Sequence, residues 1–172
     1  AAAAHGVTPS GALLAAFTLV LARWSATPRF TINLTLFNLL PLHPAIDDVV
    51  GDFTSVTLLE ADPTESETFA TLAGRVQRQL WEDLDHRQFG GIQVMRELRR
   101  VRGPRASAMP VVFTSTLGMP RQPRRSSLGR VGYAITQTSQ VWLDHQVFER
   151  GDDELVLQWD ALEELFAPGV LD

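Results

Sequence analysis

The sequence predicts an α/β fold, a mixed sheet packed against helices. Two observations carry this. Segments with apolar residues at helical spacing are interleaved with segments that alternate polar and apolar residues, and no internal repeat organises the chain. Its 172 residues, 45% hydrophobic and 20% charged, suit one domain or one half of a larger one, with a sizeable core rather than disorder.

The first helix opens at Thr8-Pro9, with Thr at the N-cap and Pro at the first helical position, where no donor is missed. It should run to Trp24 and stop before Thr27-Pro28, apolar nearly all round and therefore buried. Residues 31–37 alternate, with Ile32, Leu34 and Leu36 on one face and Thr31, Asn33 and Thr35 on the other. Pro41 and Pro44 mark a loop before a second strand at 53–60. A second helix is expected from Pro63-Thr64, with Thr64 and Glu67 as a capping box and Phe69, Leu72, Val76, Leu80 and Leu84 as its core stripe. Gly90-Gly91 ends it, and a short basic helix follows to Arg102. Strands are expected at 110–117, 131–137, 141–149 and 154–160, then a helical turn near 162–166. The helices are expected on one side of the sheet.

Composition removes several chemistries. There is no Cys, hence no disulfide, thiolate metal site or Cys nucleophile. All 15 basic residues are Arg, which excludes Schiff-base and Lys general-base chemistry. No dinucleotide glycine motif, phosphate loop or serine-hydrolase elbow occurs. His5, His43, His86 and His145 lack metal-ligand spacing and are expected in loops or on the surface. The longest apolar run, Leu13 to Ala22, is broken by Thr18 and is shorter than the ~18 residues a membrane span needs. No basic segment precedes it as in a secretory leader, so the expected location is cytoplasmic, with no membrane partner. Net charge is −5, yet Arg96 to Arg130 holds nine Arg against Glu97 alone. Such a segment is compatible with an acidic partner, a phosphate-bearing one, or solvent.

Two strands are more informative. In 110–117, alternation puts Val111, Phe113, Ser115 and Leu117 on one face and Val112, Thr114 and Thr116 on the other. In 140–146, Val141 and Leu143 share one face while Gln140, Trp142, Asp144 and Gln146 share the opposite one. Each strand thus pairs an apolar face with a polar, proton-capable one. Asp144 lies between Leu143 and Val147 with Trp142 nearby; burial there would raise its pKa toward the range useful for proton transfer. An outward orientation would leave it ionised, and the residues alone leave both open. His145 must point away from Asp144.

At these residues the chain resembles the heterocyclization domains of nonribosomal peptide synthetases, the thiazoline- and oxazoline-forming variant of the condensation domain. Thr8-Pro9, Leu13, Val20-Leu21 and Trp24 match that family's TPxxxL…VLxxW helix. Gly51-Asp52-Phe53-Thr54 through Leu58-Leu59 matches GDFTxLxLL except at Val56. Pro110 to Leu117 matches PVVFTSxL throughout. Thr136 to Asp144 matches TQTPQVxLD with Ser139 in place of Pro, and Trp159-Asp160 follows near the expected distance. Ser139 is expected to loosen the backbone before the Asp144 strand.

The resemblance implies the chloramphenicol-acetyltransferase-like α/β sandwich, with residues 1–172 as its C-terminal lobe. The family's N-terminal DxxxxD signature and the ordinary condensation HHxxxDG are both absent from these residues. An N-terminal lobe is therefore an expected partner, and the lobe alone is expected to be inactive. The resemblance also implies Asp144 as general acid/base and Thr114 as its hydrogen-bond partner or that of the intermediate. Gln140, Trp142 and Thr116 are implied as tunnel-lining residues, a role that plain packing would equally explain for Gln140 and Trp142. Asp52 and Thr54 read as a structural turn and strand start. The resemblance further implies that no cofactor or metal is bound directly and that substrates arrive on the phosphopantetheine of upstream and downstream carrier proteins. The Arg-rich loops, with Arg124 and Arg125, are expected to help dock a carrier. Three other readings compete: an amide-forming condensation lobe, a degenerate module that only recruits partners, and a nucleic-acid binder. The last is disfavoured because the Arg residues are not interleaved with aromatics and the overall charge is negative.

Overall fold

The structure, a computed structural model, describes residues 2–37, 42–63, 67–119, 133, 135, 138, 140–150 and 154–171. A 3₁₀ turn at Ala2–His5 leads into helix α1 (Pro9–Trp24). The side chain of Thr8 caps α1 by accepting from the Gly11 N–H at 3.0 Å, with Pro9 in the first turn as expected. Strand β1 (Phe30–Phe37) pairs antiparallel with β2 (Thr54–Ala61), Phe30 opposite Ala61 and Phe37 opposite Thr54. Helices α2 (Phe69–Asp85) and α3 (Gly91–Arg102) follow, then strands β3 (Val111–Ser115), β4 (Leu143–Arg150) and β5 (Glu154–Ala161).

The start of α2 differs from the sequence reading. Thr68, not a residue at 64, is the N-cap and accepts from the Thr71 N–H at 3.3 Å. Thr64 lies outside the described residues. Glu67, expected to close a capping box, instead reaches forward to Arg75, which binds its carboxylate through Nε and Nη2 and also donates to the Asp62 carbonyl. A charged pair supported by a second acceptor competes successfully with a local cap. The strand expected at 131–137 falls largely outside the described residues; Tyr133 and Ile135 belong to no strand. Ser139, Arg124 and Arg125 also lie outside them.

The five strands form one sheet in the order β2-β1-β3-β4-β5. The pairs β1–β3 and β3–β4 are parallel and the two outer pairs antiparallel, so the sheet is mixed. One face is apolar. Thr57, Leu34, Phe113, His145 and Trp159 lie across it at one level, and Leu14 and Phe17 of α1 and Leu72, Ala73 and Val76 of α2 join Leu34 and Phe113 in the core. Gln77 of α2 ties the helices together, receiving the Thr8 N–H and donating to the Gly6 carbonyl.

Helices α1 and α2 cover that face as expected, but α3 sits on the other one. There β2 presents Val56 and Leu58, and the helix begins against them at Gly91, which is buried. Any Cβ on Gly91 would stand 3.1 Å from the Val56 carbonyl oxygen and 3.2 Å from carbons of Val56 and Leu58. Burying these two apolar side chains explains why one helix crosses to the otherwise polar side. The outer surface of α3 exposes Arg96, Arg99, Arg100 and Arg102, with Glu97 held by Arg100.

Candidate functional site

The polar face of the sheet holds the candidate site, and strand register assembles it. Leu58, Asn33, Val112, Asp144 and Asp160 lie across the five strands at one level. On the next level Thr114 stands opposite Gln146, which stands opposite Gln158. Apolar residues occupy β2, where α3 packs, and polar ones accumulate toward β4 and β5. The alternation read from the sequence therefore holds: Ser115 turns to α1, sharing a 2.8 Å hydrogen bond with Ser10, while Thr114 turns the other way.

Asp144 is buried, only 7% exposed. Its Oδ2 accepts from Gln146 Nε2 at 3.0 Å, a contact available because residues two apart on a strand share a face. Thr114 is half-buried and does not bond to Asp144: its hydroxyl donates to Thr35 on β1 at 2.8 Å. The reason is register, since Asp144 is paired with Val112 and Thr114 with Gln146. Asn33 is likewise buried, 6% exposed, and donates through Nδ2 to the Met109 carbonyl.

A cavity of about 510 Å³ opens at this face, lined by Gln140, Val141, Asp144, Asp160, Leu162 and Glu163 among others. Gln140 is held at φ 68°, a left-handed conformation that costs a side-chain-bearing residue about 1–2 kcal/mol. The other two expected lining residues stand apart from it. Trp142 precedes β4 and is 48% exposed; its N–H donates to the Pro110 carbonyl at 2.8 Å and its carbonyl accepts from Leu162 at 3.0 Å. Thr116 lies just past β3, its N–H bonded to the Val147 carbonyl at 3.0 Å. Neither belongs to the described lining of the cavity.

His145 points away from Asp144, as strand geometry requires, but it is neither in a loop nor on the surface. It is 5% exposed, with ring centroids 4.5 Å from Trp159, 4.8 Å from Phe17 and 5.6 Å from Phe113. Its Nδ1 lies 3.2 Å from the Gln158 carbonyl oxygen, the geometry of an N–H donated to that acceptor. Burial pushes its pKa below the ordinary imidazole value, against smaller opposing contributions from the Gln158 carbonyl and Asp144. Asp160, Gln146 and Thr35 were not singled out as site residues from the sequence. Alternation signalled the face of Gln146 and Thr35, but only strand pairing places Asp160 opposite Asp144.

Among the described residues no group of three or more acidic or imidazole side chains is arranged to hold a metal ion. No described helix is long and apolar enough to cross a membrane.

The mixed sheet with helices on both faces is of the chloramphenicol-acetyltransferase-like α/β kind, the fold of the solved condensation domains on which the chain superposes. The chain belongs to the condensation-domain family, whose model it matches over residues 1–167. It is 46% identical, over 99% of its length, to the phenyloxazoline synthase MbtB of Mycobacterium tuberculosis. It is 42% identical, over 96% of its length, to the pyochelin synthetase PchF of Pseudomonas aeruginosa. The solved cyclization-docking bidomain of EpoB from Sorangium cellulosum is 47% identical and superposes with a TM-score of 0.83 over 99% of this chain. These relatives bear out the resemblance to the heterocyclization branch read from the motifs. The chain spans 12% of MbtB, 9% of PchF and 35% of the EpoB bidomain.

Proposed function

We infer that this chain is the C-terminal lobe of a heterocyclization domain and supplies the proton-transfer wall of its substrate tunnel. The observation that carries the reading is Asp144: a buried carboxylate on the polar face of β4, hydrogen-bonded to Gln146 and lining a cavity with Gln140. Two carrier proteins bring the substrates on phosphopantetheine arms, and no cofactor is bound by the lobe itself. An N-terminal lobe closes the tunnel from the other side.

In the first reaction the amine of carrier-bound Cys, Ser or Thr attacks the upstream acyl thioester. A C–N bond forms, the C–S bond breaks, and the donor arm leaves as its thiol. The side-chain thiol or hydroxyl then adds to the carbon of the new amide, giving a ring that carries a hydroxyl. Loss of that hydroxyl with the nitrogen's proton forms the C=N bond of thiazoline or oxazoline and releases one water. Ring closure needs the proton of the attacking thiol or hydroxyl moved to the former carbonyl oxygen, and dehydration needs one delivered to the departing hydroxyl and one taken from the nitrogen, the work assigned to Asp144. A positioned acid/base contributes about 10²–10⁴ in rate. Thr114, fixed by Thr35, is assigned a hydrogen bond to the intermediate rather than to Asp144.

The test is intact mass spectrometry of the downstream carrier, using the complete parent domain with and without Asp144→Ala. The expected result is condensed product less one water for wild type, and uncyclised amide for the variant. Uncyclised amide from both proteins would make this an ordinary condensation lobe. An unmodified carrier with both would leave the partner-recruiting module.

A further inference from the structure

Two short patterns face each other across β4 and β5. On β4, Asp144 and Gln146 flank His145; on β5, Gln158 and Asp160 flank Trp159. Because the strands are antiparallel, the two Asp residues stand opposite each other, and so do the two Gln residues. In each pattern the amide points along its own strand to the carboxylate two residues away. The two contacts are not equivalent. Gln146 Nε2 lies 3.0 Å from Asp144, whereas Gln158 Nε2 lies 3.4 and 3.5 Å from the oxygens of Asp160. Only the first is a hydrogen bond of normal length.

The terminal torsion of an Asp side chain is broad and weakly restrained by its own rotamer preferences. A carboxylate that must move a proton at one defined atom therefore needs its plane fixed from outside. Thr114 is not placed to do so, since its hydroxyl is given to Thr35. Gln146 is half-buried between Thr114 and Gln158, and its neutral amide donates without adding a charge beside Asp144.

We propose that Gln146 is the positioning residue of Asp144: it touches no substrate and sets the rate of ring closure by fixing the orientation of that carboxylate. This rests on Asp144 serving ring closure. The complete parent domain is tested with its two carriers under single-turnover conditions, following amide and ring by intact mass. Gln146→Met keeps the length of the side chain and removes the donor; Gln146→Glu keeps the shape and replaces the donor with a like charge. Both are expected to slow ring closure about 10- to 100-fold, with Gln146→Glu the worse, and to leave amide formation within about twofold. Retained amide formation also reports that the variants fold. In an Asp144→Ala background, Gln146→Met is expected to add no further loss, since its action runs through the missing carboxylate.

Unchanged ring closure in both single variants overturns the inference. So does an equal slowing of both reactions, which marks a purely structural role, or an undiminished effect in the Asp144→Ala background. If the wild-type domain itself makes amide and no ring, the functional reading fails, an outcome distinct from all of these.

Discussion

Burial of His145 among Phe17, Phe113 and Trp159 has a consequence for stability. Its pKa in the folded chain lies below the ordinary value of 6.5, so below that pH the unfolded chain binds more protons at this site. The contribution of the neutral ring is therefore complete above about pH 6.5 and is lost as pH falls through the depressed folded value. Melting of the complete domain should show a loss of stability between pH 7.5 and 5.5 that His145→Phe reduces; an unaltered slope in the variant would assign the loss to other groups. The sequence located the direction of this side chain and misjudged its surroundings. Alternation fixes which face a strand residue takes, but the aromatic neighbours come from α1, β3 and β5, three separate segments. Asp160 is visible in the sequence as a motif position but not as a site residue, because its place opposite Asp144 depends on the β4–β5 register.

At the level of elements, the bounds of α1 were legible almost to the residue, since Thr8-Pro9 is both a cap and a barrier to an earlier start, but its expected burial holds on one side only: Leu19, Val20 and Trp24 are exposed. The start of α2 was less legible. Thr64 and Thr68 each sit three residues before a possible partner, and the choice turned on Glu67, whose ion pair with Arg75 exists only once the helix has formed. The crossing of α3 to the polar face was also hidden, because it depends on Val56 and Leu58 being left uncovered by the other two helices. That contact can be probed directly. Gly91→Ala puts a methyl group 3.1 Å from a backbone oxygen that cannot move without disturbing β2. It should destabilise the domain by about 1–3 kcal/mol, read as a lower denaturant midpoint. On the opposite face, Leu14→Ala in α1, where the side chain is 1% exposed, should cost about 2–5 kcal/mol by the same measurement.

On the scale of the whole molecule, the sheet's two faces divide the labour: one is closed by α1 and α2, and the other is covered over β2 by α3 while a cavity opens beside Asp144. If that cavity is the proposed tunnel, it requires a second wall. Residues 1–172 expressed alone should transfer no acyl group to a loaded carrier, whereas the complete parent domain should; turnover by the lobe alone would disprove the two-lobe arrangement. The sheet order also has a consequence during synthesis. Strand β1 lies between β2, which follows it closely, and β3, which begins 50 residues after β2 ends at Ala61. At about 5–20 residues per second, the ribosome needs roughly 3–10 s to cover that interval. Until then one edge of the β1–β2 hairpin has no neighbour, and Ile32, Leu34 and Leu59 rely on α1 and α2 for shelter. The parallel centre of the sheet begins with β3 against β1 and is complete only once β4 has emerged, so a nascent chain interrupted before β4 exposes an edge ready to pair with another chain.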